Sequence, residues 1–114
     1  MVAKRAHVPN RGDVVWLDFG PVRGHEQNGR RPALVVSPER YNAKSGLALV
    51  CPITSHKKGY PFEVGFKTRE VQGVILADQV RGIDWTQRGA EKISVVSEMV
   101  MTEVQEYIKK LVVA

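Results

Sequence analysis

Short, alternating apolar runs, separated by clusters of Gly, Pro, Asn and Lys, most constrain how this 114-residue chain can fold. In these runs apolar residues tend to recur at every second position, and Val, Trp and Phe are frequent, as is typical of strands with one buried face. The pattern predicts at least six strands, at residues 13–19, 32–37, 47–54, 62–66, 73–80 and 92–96. The chain is therefore expected to be mainly β.

The tail of the chain follows a different period. Ser97 is a good N-cap residue, and an acidic first turn and a basic last turn favour a helix after it. The apolar residues at helical spacing are Val100, Val104, Ile108 and Leu111. A turn or short helix is also predicted over residues 38–45, with Pro38 at its first helical position and Gly46 as its C-cap.

Many short strands followed by one helix favour a small, strongly bent, SH3-like β-barrel whose open end the helix covers. The chain has the length for one hydrophobic core, so we expect a single domain over residues 1–114. Trp16 is expected in that core. Trp85 has two interpretations, since it would either stack on a nucleic-acid base or pack at the barrel rim or a subunit interface.

The charge balance favours a polyanionic partner. Lys and Arg number 17 against 12 Asp and Glu, which gives a net charge of +5 and a pI near 9.6.

No apolar run reaches the roughly 18 residues of a membrane span and no signal peptide is evident, so a cytoplasmic protein is expected. Cys51 is expected to be a buried small hydrophobe, and the three histidines lack zinc-ligand spacing, so no metal is predicted.

A polar loop between the first two predicted strands carries more reactive groups than a turn requires. It reads Arg23-Gly24-His25-Glu26-Gln27-Asn28-Gly29-Arg30-Arg31-Pro32, although Asn28-Gly29 alone is enough for a hairpin. Arg31 precedes Pro32, which favours an extended backbone at the start of a strand. A guanidinium rooted there is suited to bind a phosphate through two hydrogen bonds, the alternative being a solvated or ion-paired arginine.

Other candidate residues are each open to a structural interpretation. Thr54 and Ser55 end a predicted strand, where hydroxyls donate to phosphates but also serve as turn residues. Asp78 and Gln79 fall within an otherwise apolar predicted strand, so they are expected to be hydrogen-bonded or functional.

Glu26 and His25 are candidate proton acceptors or orienting groups. Glu26 would alternatively pair with Arg30 or Arg31, and His25 would be an ordinary loop residue.

Taken together, the ordered motifs of this chain resemble the MazF/PemK (Kid) family of toxin endoribonucleases. The segments that carry the resemblance are Gly12-Asp13-Val14-Val15-Trp16, Gly24-His25-Glu26-Gln27-x-Gly29-x-Arg31-Pro32, Val50-x-Pro52-Ile53-Thr54-Ser55, Lys58-Gly59-Tyr60-Pro61-Phe62-Glu63-Val64, Gly73-Val74 and Asp78-Gln79-Val80. The resemblance implies a CcdB/MazF-type barrel that forms a homodimer and inhibits translation by cutting single-stranded mRNA without a cofactor. It also implies a cognate MazE-like antitoxin with an acidic segment.

The resemblance also implies roles for individual residues. Arg31 and Thr54 match the principal active-site residues of the MazF branch. The Kid branch relies on the loop histidine, on the aspartate at position 78 and on an arginine two residues before it, where this chain has Leu76. The MazF-type assignment is therefore favoured.

Metal-independent RNA cleavage assigns a task to each candidate group. Arg31, with Thr54, would stabilise the negative charge of the phosphorane, and Glu26 or His25 would act as base, with Ser55, Asp78 and Gln79 as secondary candidates. Residues expected to bind the RNA backbone or bases are Arg23, Gln27, Asn28, Arg30, Lys57, Lys58 and Arg81, with Arg88 as a further cation.

Two other functions fit a small basic barrel. One is a CcdB-like toxin that binds DNA gyrase without catalysis, and the other is an SH3-like RNA-binding module without activity. Trp85, Met99 and the C-terminal helix are candidates for subunit contacts.

Overall fold

The structure is a computed structural model, and it describes residues 7–19 and 29–113. Seven strands and two helices lie within these residues. In chain order they are β1 (Asp13–Asp18), β2 (Arg30–Val35), α1 (Glu39–Ser45), β3 (Leu47–Thr54), β4 (Glu63–Lys67), β5 (Gln72–Leu76), β6 (Arg81–Asp84), β7 (Glu91–Val95) and α2 (Glu98–Val112). The predicted mainly β fold with a C-terminal helix is confirmed.

All strand pairs in the described sheet are antiparallel. The order is β4-β5-β3-β2-β1-β7, and β6 pairs with β3 beside β5. The sheet is curled. This is shown by the Thr68 hydroxyl at the β4–β5 turn, which lies 3.0 Å from the Ser94 hydroxyl of β7. Strands from opposite ends of the order thus approach each other, as the prediction of a strongly bent barrel requires.

The predicted strand over residues 73–80 is wrong in its second half. Ile75 of β5 pairs with Ile53 of β3, and Arg81 of β6 pairs with Val50 of β3. An advance of six residues from β5 to β6 therefore corresponds to an advance of only three residues along β3. The extra residues leave the sheet as a turn. Asp78 and Gln79 belong to this break and are exposed, so they are not a polar pair inside a strand.

The central strands bury both faces. Leu34 of β2 belongs to a core cluster that includes Met101 and Val104 of α2, whereas the next residue, Val35, belongs to a second cluster with Trp85. Both clusters extend over β1 and β3 as well. The ends of β2 and β3 are therefore held on a rigid platform.

The two tryptophans occupy different environments. Trp16 lies between Val15 and Leu17, whose side chains are buried in the second cluster, so the strand alternation directs Trp16 to the other face. It is 38% exposed, and the prediction of a core residue was wrong. Trp85 is 8% exposed, and its indole nitrogen donates to the carbonyl oxygen of Asn42 at 2.9 Å. It therefore packs within the chain.

The caps of both helices agree with the sequence prediction except at the first residue of α1. The Ser97 hydroxyl accepts from the N–H of Val100 at 3.2 Å, and α2 buries Met101 and Val104. Gly46 is the C-cap of α1 with φ +74°, but Pro38 is its N-cap and not its first helical residue. In the ranges 7–19 and 29–113, neither helix has the length and apolar character needed to cross a membrane.

Candidate active site

An open cleft of about 320 Å³ lies at the ends of β2, β3 and β5. Its described lining residues are Arg31, Pro32, Ile53, Thr54, Ser55, His56 and Gln72. Three of them, Arg31, Thr54 and Ser55, are residues for which the sequence predicts a role in chemistry. The antiparallel arrangement brings them together, because β2 begins where β3 ends.

Strand register explains why Arg31 and Thr54 line the same cleft. β2 and β3 pair Ala33 with Pro52 and Leu34 with Cys51. If this register is continued by two residues, Arg31 lies opposite Thr54. Directly opposite residues of an antiparallel pair project from the same face, with Cβ atoms roughly 5 Å apart. A guanidinium and a hydroxyl therefore line the same cleft.

The hydrogen bonding of Thr54 leaves its hydroxyl ready to donate. Its Oγ1 accepts the backbone N–H of His56 at 3.2 Å, so one lone pair is already used. Within residues 7–19 and 29–113, no acceptor for its hydroxyl proton is found. Because a hydroxyl both accepts and donates, this proton is available to a bound anion.

The Arg31 guanidinium likewise has no partner among the described residues. Its side chain is exposed, and the described part of the chain offers it no ion pair or hydrogen-bond acceptor. Neighbouring Arg30 differs, because its Nη2 donates to the Glu91 carboxylate at 3.1 Å and to the carbonyl oxygen of Gly89 at 3.1 Å. The two consecutive arginines thus have different tasks, and Arg31 is the one available to a ligand.

Sequence reasoning overlooked two cleft residues, His56 and Gln72. His56 follows the bend at Ser55 after β3, and Gln72 begins β5, which pairs with β3 through Thr54 and Val74. The usable signal for His56 was its position two residues after Thr54, which was already a candidate. Gln72 gave no such signal, since its place depends on which strand pairs with β3.

The described residues predicted to bind RNA, namely Arg30, Lys57, Lys58 and Arg81, are not among the described lining residues. Lys57 and Lys58 are exposed on the segment that follows β3. The backbone N–H groups of Lys58 and Gly59 donate to the Glu63 carboxylate at 3.2 and 3.0 Å, which anchors this segment. Arg81 lies over the ring of Phe19, with 5.2 Å between the guanidinium carbon and the ring centroid.

Asp78 and Gln79 lie in the turn between β5 and β6 and are not among the described lining residues of the cleft. The loop candidates lie outside the residues that the structure describes, namely Arg23, His25, Glu26, Gln27 and Asn28.

Cys51 is buried in the first core cluster, as predicted. Burial, with a further contribution from the negative charge of Asp78, raises the pKa of its thiol to about 12. A thiol with so high a pKa is a poor nucleophile at neutral pH.

As for metals, the described stretches contain no group of three or more His, Cys, Asp or Glu side chains placed to hold an ion.

Comparison with known proteins identifies the family. Residues 10–112 match the model of the PemK-like, MazF-like toxin of type II toxin-antitoxin system. The chain belongs to this family. The predicted MazF/PemK relationship is therefore confirmed.

Individual relatives place the chain near MazF within this family. It is 54% identical over 86 residues to the endoribonuclease toxin MazF of Escherichia coli K12, covering 75% of this chain and 78% of that protein. It is 32% identical over 108 residues to the endoribonuclease PemK of Escherichia coli, covering 90% and 81%.

A solved structure agrees with this placement. The crystal structure of MazF from Deinococcus radiodurans superimposes with a TM-score of 0.83 at 48% identity, covering 93% of this chain and 97% of that one. Because these matches are MazF and PemK proteins, the alternative of a CcdB-like gyrase-binding toxin is not favoured.

Proposed function

We propose that this chain is a toxin endoribonuclease that cleaves single-stranded RNA, with Arg31 and Thr54 at the centre of its active site. The predicted enzyme class is confirmed, because the relatives MazF and PemK are named endoribonucleases. One observation supports the site: a guanidinium and a hydroxyl proton that have no partner among the described residues line the same open cleft.

The proposed reaction uses the substrate's own 2′-hydroxyl as nucleophile. Its oxygen attacks the adjacent phosphorus, a phosphorane with extra negative charge forms, and the bond to the 5′-oxygen breaks. The products are a 2′,3′-cyclic phosphate and a 5′-hydroxyl. The protein must therefore accept one proton, stabilise the phosphorane and deliver one proton.

Arg31 is suited to the stabilising task. A guanidinium stays charged at all relevant pH values and presents a planar fork of donors that matches two phosphate oxygens. The Thr54 hydroxyl adds a neutral donor to the same group. A donor aimed at a developing oxyanion contributes on the order of 3–4 kcal/mol to the stability of the transition state. On sequence grounds, Glu26 or His25 is proposed as the base.

A substrate of unpaired RNA fits the charge of the chain. Exposed cations near the cleft, among them Lys57 and Lys58, would follow the phosphate backbone while loop side chains contact bases. We propose that the target is mRNA in the cytoplasm and that its cleavage inhibits translation. We likewise propose that residues 1–114 form a single domain and that the protein is a homodimer.

The proposed regulator is a MazE-like antitoxin. The chain is 45% identical to MazF in a solved MazE–MazF complex from Deinococcus radiodurans, with a TM-score of 0.83 over 93% of this chain and 96% of that one. An acidic antitoxin segment would bind the basic surface that RNA uses, because opposite potentials attract. Competition between antitoxin and an uncleavable RNA analogue tests this, and simultaneous binding of both would refute a shared site.

Replacing Arg31 tests the active site directly. Arg31→Ala is expected to cut RNA at least about 100-fold more slowly, with binding retained at low salt. Arg40→Ala is the matched control, because Arg40 is an exposed residue of α1 that does not line the cleft. Cleavage of a mixed-sequence RNA, followed by sequencing of the ends, measures both. Near-normal cleavage by Arg31→Ala would remove Arg31 from the mechanism.

Substrate chemistry provides the second test. A single deoxyribose on the 5′ side of the cut site removes the proposed nucleophile, so cleavage there is expected to stop. EDTA is expected to leave the rate unchanged. Continued cleavage at the deoxy position, or loss of activity in EDTA, would refute the proposed reaction.

A further inference from the structure

We propose that His56 is the general acid that protonates the departing 5′-oxygen. This inference rests on the proposed function, because it assigns the proton-delivery step of that reaction. The sequence did not indicate a role for His56. Its position in the cleft beside Thr54 suggests one.

The reaction needs a proton donor on the leaving group. As the P–O5′ bond breaks, its electron pair stays on the oxygen, and an alkoxide is a poor leaving group in water. A protonated imidazole would give its proton to that oxygen, which leaves as a 5′-hydroxyl, while the separate base holds the proton of the 2′-hydroxyl. Exchange with water then returns both groups to their starting states.

Among the described lining residues, only one side chain has the chemistry of a proton donor at neutral pH. The lining comprises Arg31 and Gln72, the hydroxyls of Thr54 and Ser55, two apolar residues and His56. A guanidinium does not release its proton in proteins, and hydroxyls and amides are too weakly acidic to donate one at neutral pH. Histidine is the residue type that exchanges protons in that range.

The backbone places His56 on the reacting face. Its N–H donates to the Thr54 hydroxyl at 3.2 Å, which fixes the turn that follows β3. β3 ends at Thr54 and the chain bends at Ser55, so this hydrogen bond and the shared cleft lining place His56 beside Thr54. Gln72 of β5 lines the same cleft.

The chain is also held on the far side of His56. The Glu63 carboxylate accepts the N–H groups of Lys58 and Gly59, so the segment between β3 and β4 is attached at both ends. Among the described residues, the charged groups near His56 are Arg31 in the cleft, Lys57 and Lys58 next in the chain, and the Glu63 carboxylate that anchors this segment. A bound phosphate would lie among these cations and beside the imidazole.

A modified substrate separates this role from every other contribution of His56. In an RNA whose 5′-bridging oxygen at the cut site is replaced by sulfur, the leaving group is a thiolate that needs no proton. His56→Gln is expected to cut the ordinary RNA about 100-fold or more slowly than wild type. On the sulfur-containing RNA it is expected to match wild type within about tenfold.

Two controls complete the experiment. His7→Gln makes the same change at an exposed histidine that does not line the cleft, and it is expected to behave as wild type on both RNAs. Arg31→Ala is expected to stay slow on both, because the phosphorane still needs stabilising when the leaving group is sulfur. His56 is itself exposed, so its replacement is expected to leave the fold intact.

The pH dependence provides an independent readout. Wild type is expected to lose kcat/KM on the ordinary RNA as pH rises and the acid deprotonates, and His56→Gln is expected to lack that decline. Unchanged cleavage by His56→Gln, or a loss that sulfur does not restore, would overturn the assignment while leaving the role of Arg31 standing. Failure of the wild-type protein to cut any RNA would instead refute the proposed function.

Discussion

Gly73 of β5 packs directly against the backbone of Thr54. A Cβ atom at Gly73 would lie 2.8 Å from the Thr54 carbonyl oxygen and 3.1 Å from Cγ2 of Ile53. The first distance is shorter than van der Waals contact allows, and the obstructing atom belongs to the backbone. The absence of a side chain at Gly73 therefore lets β5 approach the end of β3, where the Thr54 hydroxyl enters the cleft.

Gly73→Ala is accordingly expected to impair both stability and cleavage. One methyl group forces β3 and β5 apart, which we expect to lower the unfolding free energy by about 1–3 kcal/mol and to displace Thr54 from the bound phosphate. Urea unfolding and RNA cleavage measure the two effects. Gly65→Ala is the matched control, because a Cβ there meets nothing within 4 Å. Equal behaviour of the two variants would show that the close approach is unimportant.

Asn42 is expected to be a main determinant of stability. It is fully buried, its amide donates to the carbonyl oxygens of Pro9 at 2.7 Å and Ser37 at 3.0 Å, and it accepts the Ser37 hydroxyl at 2.6 Å. Asn42→Ala leaves these groups without partners, which we expect to lower the unfolding free energy by roughly 3 kcal/mol. Lys44→Ala, an exposed change in the same helix, is expected to cost little. A near-neutral Asn42→Ala would contradict this network.

Features coded by neighbouring residues were predictable from the sequence. The bounds of β3 and the Ser97 cap follow from alternation and from one side chain bonding a nearby N–H, so both predictions were correct. Arg31 and Thr54 were found for similar reasons, because Pro32 and the strand end are local signals. Their mutual placement follows once β2 and β3 are paired.

Features set by distant contacts were not predictable in this way. The division of residues 73–80 between β5 and a turn arises from pairing with β3, because the extra residues pair with no residue of β3. Trp85 is buried in a cluster with residues of β1, β2 and β3, and its indole donates to Asn42, more than forty residues away in the chain. His56 and Gln72 likewise become cleft residues only when β5 lies beside β3.

RNA binding is expected to weaken steeply with salt. About four phosphate contacts on a single strand correspond to a slope near −3 in a plot of log affinity against log salt. Lys57→Ala is expected to reduce the magnitude of that slope by about 0.7, whereas Lys109→Ala, on the exposed last turn of α2, is expected to leave it unchanged. An RNA with deoxyribose before the cut site permits the titration without cleavage. A slope near zero would exclude a backbone-binding groove.

The buried thiol of Cys51 predicts a loss of stability at alkaline pH. Its pKa rises from 9.0 to about 12 on folding, chiefly through burial, so the folded state holds the proton more tightly than the unfolded state. Below about pH 9 both states are protonated and the contribution is constant. Between about pH 9 and pH 12 the unfolding free energy is expected to fall by up to about 1.4 kcal/mol per pH unit.

Cys51→Ala isolates this contribution, because the other alkaline titrations are common to both proteins. The variant is expected to be less stable at neutral pH, since it leaves a small cavity beside Leu34. Its disadvantage is expected to shrink as the pH rises above about 9, where only the wild-type unfolded state gains a thiolate. Urea unfolding at a series of pH values measures the difference. Parallel curves for the two proteins would mean that the thiol titrates alike in both states, and would contradict its burial.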